Sequence, residues 1–152
     1  MNISIEDVKK LRDATGAGML DAKKALEQAG SFDGAVSLLR KKGHATLAKK
    51  SDRVVGQGLV ASYIHAGGKV GVLLEINCET DFVARNEEFK KLVQELALQI
   101  TSTGPLDVAE LLEQDYVREP EKKIKDLIAE QVGKLGENIQ VRRFVRFVLG
   151  AE

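Results

Sequence analysis

Few side chains in this sequence could act as nucleophiles, bases or metal ligands. It holds two histidines, His44 and His65, and one cysteine, Cys78. Neither histidine has serine, cysteine and aspartate residues around it in an arrangement that indicates an activated nucleophile. One cysteine alone forms neither an intramolecular disulfide nor a multi-cysteine metal site. We therefore expect no catalytic residue, no metal site and no cofactor, and we expect that the protein is not an enzyme.

Gly16 and Gly18 have a spacing found in glycine-rich loops that bind phosphate. Such a loop follows a strand and continues into Gly-Lys and then Ser or Thr, and this sequence has neither feature. A turn between two helices is the better interpretation of this glycine pair.

Residues 77–83 (NCETDFV) combine polar, acidic and aromatic side chains at a predicted corner between a strand and a helix. In one interpretation, Thr80 or Asp81 caps the helix and Phe82 packs against it as a hydrophobic staple. In the other, Phe82 is an exposed aromatic anchor on a rigid corner, a type of residue that dominates many protein interfaces. These residues alone leave both interpretations open.

Three short helices are predicted to precede this strand–helix corner. Ser4 and Asp7 fit a capping box that starts the first helix, and glycines supply the turns that end all three. The helices are expected from about residue 5 to 15, from 19 to 30 and from 33 to 43. Residues 44–57 have the composition of a charged, partly helical connector. These features predict a three-helix bundle within residues 1–52.

The pattern changes to strand periodicity after the connector. Residues 58–78 predict two strands around a glycine turn at residues 66–69. Helices are expected over about residues 83–100, 108–112 and 121–135, and a third strand over residues 139–149. The predicted fold class is α+β: a three-helix bundle, then a small three-stranded antiparallel sheet with helices on one face, in a second domain over residues 53–152.

The last predicted strand carries apolar residues on both faces. Strict alternation places Phe144 and Val148 on one face. The other face is expected to hold Ile139, Val141, Arg143, Val145, Phe147 and Leu149, of which Val141, Arg143, Val145 and Phe147 are the predicted dimer residues. The second domain has helices enough to cover one face only, so the sequence predicts that a second copy of the chain covers the other.

Four blocks of the sequence resemble the translation elongation factor Ts family, the guanine-nucleotide exchange factors of elongation factor Tu. The blocks are residues 11–26 (LRDATGAGMLDAKKAL), 38–43 (LLRKKG), 63–89 (YIHAGGKVGVLLEINCETDFVARNEEF) and 135–144 (LGENIQVRRF). The resemblance extends over nearly the whole chain, and the combination of the first and third blocks is highly specific. It implies a protein that promotes release of GDP from elongation factor Tu.

The resemblance also implies two sets of partner-binding residues. Thr80, Asp81, Phe82 and Val83 match the exchange motif of the family, whose aspartate and phenylalanine enter the partner's GTPase domain near its magnesium and phosphate-binding elements. The N-terminal bundle is expected to be similar to ubiquitin-associated domains and to contact the same GTPase domain through its first turn. The matching positions there are Arg12, Met19 and Leu20.

The chain departs from many family members in size. Those members carry two similar core halves with a long helical hairpin between them, whereas this chain has one core half and a short connection over residues 104–120. Short members use two copies with packed sheets, so the resemblance also implies a homodimer. Some short relatives have a cysteine where Val145 stands, so no disulfide-linked dimer is expected here.

The charge pattern leaves an alternative function open. The chain has 23 basic and 23 acidic residues, which argues against a protein that coats nucleic acid. However, six basic residues and one acid lie in residues 40–53, and an RNA- or ribosome-binding module using this segment is the alternative. A peptide-binding adaptor would leave the corner unexplained. No membrane contact is expected, because no apolar run approaches the roughly 20 residues of a membrane span. No direct nucleic-acid contact is expected from the balanced charge, and the single cysteine favours a cytoplasmic location.

Overall fold

The computed structural model describes residues 2–151 and has two hydrophobic cores within them. The helices are α1 (Ile5–Thr15), α2 (Met19–Ala29), α3 (Phe32–Lys50), α4 (Asp81–Ala84), α5 (Glu87–Thr103), α6 (Val108–Glu113) and α7 (Ile124–Leu135). The strands are β1 (Gln57–Ile64), β2 (Val70–Cys78), β3 (Asp115–Tyr116), β4 (Glu119–Lys123) and β5 (Gln140–Val148). The predicted α+β class is confirmed. No helix in the described part of the chain is long and apolar enough to cross a membrane.

Helices α1 to α3 enclose the first core. The predicted capping box is present, because the Ser4 hydroxyl accepts the Asp7 N–H and the Asp7 carboxylate accepts the Ser4 N–H. Gly16 and Gly30 end α1 and α2 with φ angles of 70° and 67°, which glycine adopts without a Cβ clash. The buried residues of this core are Val8, Leu11, Ala22, Ala25, Leu26 and Ala35.

Helix α3 does not end at Gly43, where the sequence predicted its end. It continues to Lys50 because its second half packs against α7. At Gly43 the two helices are so close that an added Cβ would lie 3.7 Å from the carbonyl oxygen of Ala129. Farther along, Leu47 packs against the second core. A single helix therefore contributes to both cores, and the predicted partly helical connector is mostly the end of that helix.

Strands β1, β2 and β5 form an antiparallel sheet in the order β1-β2-β5. At Gly58 the first two strands approach so closely that an added Cβ would lie 2.1 Å from the carbonyl oxygen of Ile76, so only glycine fits there. One face of β2 is buried in the second core, through Val72, Leu74, Ile76 and Cys78.

Helices α5 and α7 supply most of the other residues of the second core. The predicted helix over residues 83–100 is interrupted: α4 ends at Ala84, and the side chain of Asn86 caps α5 by accepting the N–H of Glu88 at 2.8 Å. One side of α5 carries an apolar stripe at helical spacing, whose members are all buried: Phe89, Leu92, Val93, Leu96 and Ile100.

Strands β3 and β4 form a small hairpin that the sequence did not predict. The expected helix from residue 121 begins instead at Ile124, after β4. Gln99 on α5 holds the hairpin, because its Nε2 donates to the Asp115 carbonyl at 3.1 Å and its Oε1 accepts the Val117 N–H at 3.0 Å. Such short polar strands give no periodic signal in a sequence.

A β-bulge in β5 corrects one predicted dimer residue. Arg143 lies opposite Glu75 and Val141 lies opposite Ile76, so Arg142 is an extra residue between them. The extra residue reverses the alternation of side chains before it, and Val141 turns into the core with 9% of its surface exposed. The predicted open-face residues that the bulge moves into the core are Ile139 and Val141.

Candidate functional site

The strand–helix corner presents Phe82 to solvent in the first turn of α4. Only two residues separate the end of β2 from the start of α4, so the turn is tight. Thr80 caps α4, because its hydroxyl accepts a hydrogen bond from the N–H of Val83 at 3.4 Å. The side chain of Phe82 is 78% exposed. The capping interpretation therefore holds for Thr80, while the staple interpretation does not hold for Phe82.

Two charged side chains flank the exposed ring. Asp81 and Arg85 form an ion pair across one turn of α4, and the guanidinium carbon of Arg85 lies 5.9 Å from the centre of the Phe82 ring. Both charged side chains are exposed, and surface ion pairs contribute at most about 1 kcal/mol to stability. Both groups are therefore free to exchange this contact for contacts with another protein.

The carboxylate of Glu137 holds the corner in place. Its Oε1 accepts the N–H groups of Glu79 and Thr80 at 3.1 and 3.0 Å, and its Oε2 accepts the Thr80 hydroxyl at 2.7 Å. Both N–H groups lie beyond Cys78, which is the last paired residue of β2 on the β1 side. Glu137 thus supplies an acceptor for two backbone donors that a neighbouring strand does not pair.

Asn138, the next residue, joins the corner to the segment that follows α3. Its backbone N–H donates to Oε1 of Glu79 at 2.9 Å, and its side-chain Nδ2 donates to the carbonyl of Arg53 at 3.0 Å. The Arg53 guanidinium in turn lies 3.5 Å from the Glu79 carboxylate. Sequence reasoning did not single out Glu137 or Asn138, and their only signal was membership of the block at residues 135–144.

The single cysteine is a packing residue. Cys78 is buried at the end of β2, and its Sγ donates to the carbonyl of Thr80 at 3.1 Å. Burial raises the pKa of the Cys78 thiol to about 11, and the nearby negative charge of Glu137 adds to the effect. The thiol is therefore protonated at neutral pH, as is usual for a small buried side chain.

Arg12, Met19 and Leu20 lie at the turn between α1 and α2. The Nη1 atom of Arg12 is 4.0 Å from the Met19 sulfur, and its guanidinium pairs with Asp13. Met19 and Leu20 are large apolar residues that remain exposed. The turn thus offers an apolar patch beside a cation, which is suited to contact with another protein.

The outer face of the sheet, on the side away from α5, is apolar and exposed. Val145 and Phe147 lie on it, and Phe147 is 74% exposed. Arg143 donates from Nε to the Glu75 carboxylate of the neighbouring strand at 2.9 Å. The same face also exposes Val60, Ile64 and Leu73.

The basic segment at residues 40–53 is largely occupied by contacts within the chain. Lys42 pairs with Asp21 at 2.7 Å. Arg40 and Lys50 donate to the backbone carbonyls of Glu121 and Gly136 at 3.2 and 2.9 Å. These contacts tie α3 to its neighbours and leave fewer cations available for phosphate groups.

Comparison with known proteins places the chain in one family. The sequence profile described as Elongation factor TS matches residues 79–151. The Elongation factor Ts of Thermodesulfovibrio yellowstonii is 44% identical over 195 positions, which cover 99% of this chain and 98% of that protein. Those of Caldanaerobacter subterraneus and Thermoanaerobacter pseudethanolicus are 41% and 43% identical over 194 positions, covering 97% of this chain and 97% and 95% of those proteins. The chain belongs to the elongation factor Ts family.

These relatives carry residues that this chain lacks. The alignments with elongation factor Ts proteins extend over 194 or 195 positions, whereas this chain has 152 residues, so they contain gaps on its side. In the structure α6 and the β3–β4 hairpin follow α5 directly. The sequence predicts that a family insertion is missing in this region, and that placement stays a prediction.

Proposed function

We propose that this protein is a guanine-nucleotide exchange factor that promotes release of GDP from elongation factor Tu. The observation that carries the proposal is the exposure of Phe82 on a clamped corner, in a chain that belongs to the elongation factor Ts family. In this proposal the protein binds elongation factor Tu in the cytoplasm, and it makes or breaks no covalent bond.

In this proposal the corner inserts into the GTPase domain of the partner. Phe82 supplies an apolar wedge, and Asp81 supplies a carboxylate that enters near the magnesium and phosphate-binding elements of that domain. Arg12, Met19 and Leu20 contact the same domain through the turn between α1 and α2. Thr80 and Val83 keep the corner helical, because one caps α4 and the other packs against the second core.

The energetics require both contact sets. Burying one phenylalanine contributes about 1.5–3 kcal/mol, or one to two decades of affinity. Nucleotide binding and factor binding weaken each other equally, so the factor must bind strongly enough to offset a tightly held nucleotide. Phe82 alone does not supply that much free energy. The loss of magnesium coordination in the partner and the contacts of the N-terminal bundle supply the remainder.

We also propose a homodimer through the outer face of the sheet. Val145 and Phe147 expose apolar surface on that face, and packing two such faces against each other removes it from water. Arg143 remains a predicted dimer residue, while Val141 is excluded because it is buried in the core.

The decisive experiment measures release of a fluorescent GDP analogue from elongation factor Tu by stopped flow, with an excess of unlabelled nucleotide. We expect release to accelerate with the concentration of this protein and then to saturate. An unchanged release rate at every concentration would overturn the proposed function. Titration of labelled RNA at two salt concentrations tests the alternative, since phosphate contacts weaken steeply with salt.

A further inference from the structure

The end of β2 and the start of β5 are joined by a reciprocal pair of carboxylate contacts. The Glu137 carboxylate accepts the N–H groups of Glu79 and Thr80, while the Glu79 carboxylate accepts the N–H of Asn138 at 2.9 Å. Each segment thus donates backbone N–H groups to a side chain of the other. We call these four residues the carboxylate clamp.

The clamp reaches the helix that carries Phe82 through Thr80, whose backbone carbonyl also accepts the N–H of Ala84 at 3.2 Å. The Thr80 hydroxyl donates to Oε2 of Glu137 at 2.7 Å and accepts the N–H of Val83 at 3.4 Å. Its hydrogen is committed to Glu137, so its lone pairs are available to the first turn of α4. The orientation of the capping hydroxyl therefore depends on Glu137.

Helix α4 is held by few packing contacts. It spans four residues, Asp81–Ala84, of which Ala84 is buried and Val83 packs against the second core while partly exposed. A single turn of helix is not stable by itself, so its orientation comes from its cap, from its attachment to the sheet and from the contacts of Val83 and Ala84 with the core. Phe82 is 78% exposed and makes no core contact that would correct a misplaced helix.

We infer that Glu137 is the positioning residue of the exchange motif, and that it acts on the partner through the direction in which Phe82 is held. This inference rests on the proposed function and deepens it. A wedge acts only if it enters at the right angle, and displacements of about 1 Å can change rates by up to about a hundredfold. Removal of the Glu137 carboxylate should therefore lower the maximal rate of GDP release more than it weakens binding.

The test compares Glu137→Ala, Glu137→Gln and Phe82→Ala in stopped-flow release of the fluorescent GDP analogue. For Glu137→Ala we expect a fall of about tenfold in the maximal rate, with a change of less than about threefold in the half-saturating concentration. Glu137→Gln keeps one oxygen acceptor and should recover to within about threefold of the wild-type rate. Glu113→Ala is the control, since it removes a carboxylate that also holds two lysines but lies away from the corner.

A double variant separates positioning from general destabilisation. If Glu137 acts through Phe82, then Phe82→Ala with Glu137→Ala should release GDP within about twofold of Phe82→Ala alone. Additive losses in the double variant would overturn the inference, as would a wild-type rate for Glu137→Ala. Circular dichroism of each variant confirms that the chain is folded.

A measurement without the partner distinguishes failure of this inference from failure of the proposed function. In the free protein, Glu137→Ala should speed amide hydrogen exchange at Glu79, Thr80 and Val83 by about tenfold and leave α7 unchanged. Unchanged exchange at these amides would overturn the clamp. If wild type does not accelerate GDP release, the proposed function fails. If wild type does, and Glu137→Ala matches it, only the role of Glu137 fails.

Discussion

The Nε2 atom of His44 lies 2.6 Å from the Oδ1 atom of Asp126, and this hydrogen bond joins α3 to α7. The other oxygen of Asp126 accepts the backbone N–H of Lys123 at 2.8 Å and so caps α7. Burial opposes the charge on Asp126, but the two hydrogen bonds outweigh it and hold the pKa of this carboxyl below its usual value. One of the contacts between the N-terminal bundle and the sheet domain therefore involves an ionised aspartate.

Asp126→Asn should change how stability depends on pH. Because the folded-state pKa of Asp126 is depressed, its contribution is complete above its unfolded pKa of about 4 and is lost as the pH falls through the folded pKa. The difference in urea midpoint between wild type and the variant should therefore be largest at pH 7 and shrink toward pH 3. Asp33→Asn, at an exposed position, is the control. A difference that stays constant over this range would contradict the argument.

Phe82→Ala should lower the stimulated rate of GDP release by at least about tenfold, because it removes the one to two decades of affinity that a buried phenylalanine supplies. The thermal melting temperature should hardly change, since the ring is exposed in the free protein. Leu106→Ala removes an equally exposed apolar side chain and is the matched control. Equal rates for the wild type and Phe82→Ala would rule out the wedge.

The two faces of β5 should respond in opposite ways to polar substitution. Phe147→Ser on the outer face should convert the dimer to a monomer in light scattering while the circular dichroism spectrum is retained. Val141→Ser on the core face should instead lower the free energy of unfolding by more than about 2 kcal/mol, because it buries a hydroxyl and leaves a gap. A wild-type chain that is already monomeric would refute the proposed sheet pairing.

Gly43→Ala should stabilise the protein by about 0.5–1 kcal/mol. Glycine costs this much in the interior of a helix, and an added Cβ would meet Ala129 only at ordinary contact distances of 3.7–3.8 Å. Gly58→Ala is the opposite case, since its Cβ would lie 2.1 Å from a backbone oxygen. Thermal unfolding of both variants checks the pair, and destabilisation by Gly43→Ala would show that α3 and α7 pack more tightly than described.

The Cys78 thiol should be unreactive in the folded protein. With its pKa raised to about 11, only about one thiol in a thousand is ionised at pH 8, and the sulfur is also buried. We expect reaction with Ellman's reagent at pH 8 to be at least about a hundredfold slower in buffer than in denaturant. Similar rates under the two conditions would contradict burial of Cys78.

Local signals in the sequence were sufficient for most elements of the fold. The capping box at Ser4 and Asp7, the buried stripe of α5 and the glycine turn between β1 and β2 follow from residue spacing. The end of α3 could not be predicted in this way, because Gly43 locally favours a stop and only the packing on α7 carries the helix onward.

The site was predictable where it lies on one segment and not where it joins two. Thr80 and Phe82 stood out because strand, cap and aromatic residue follow one another. Glu137 did not, since it lies 57 positions after Thr80 in the sequence and only the folded chain brings them together. The inward turn of Val141 depends on an extra residue at Arg142, and a bulge breaks the alternation from which a strand's faces are predicted.

Helix α3 runs without interruption from one core to the other, so a single continuous helix links the N-terminal bundle to the sheet domain. A helix advances about 1.5 Å and rotates about 100° with each residue. One inserted residue near Gly43 would rotate the turn that carries Met19 by about 100° around the axis of α3. Four inserted residues would bring the turn close to its original direction and move it by about 6 Å along the axis. The number of residues in α3 therefore sets both the distance and the relative orientation of the two surfaces that are proposed to bind one partner.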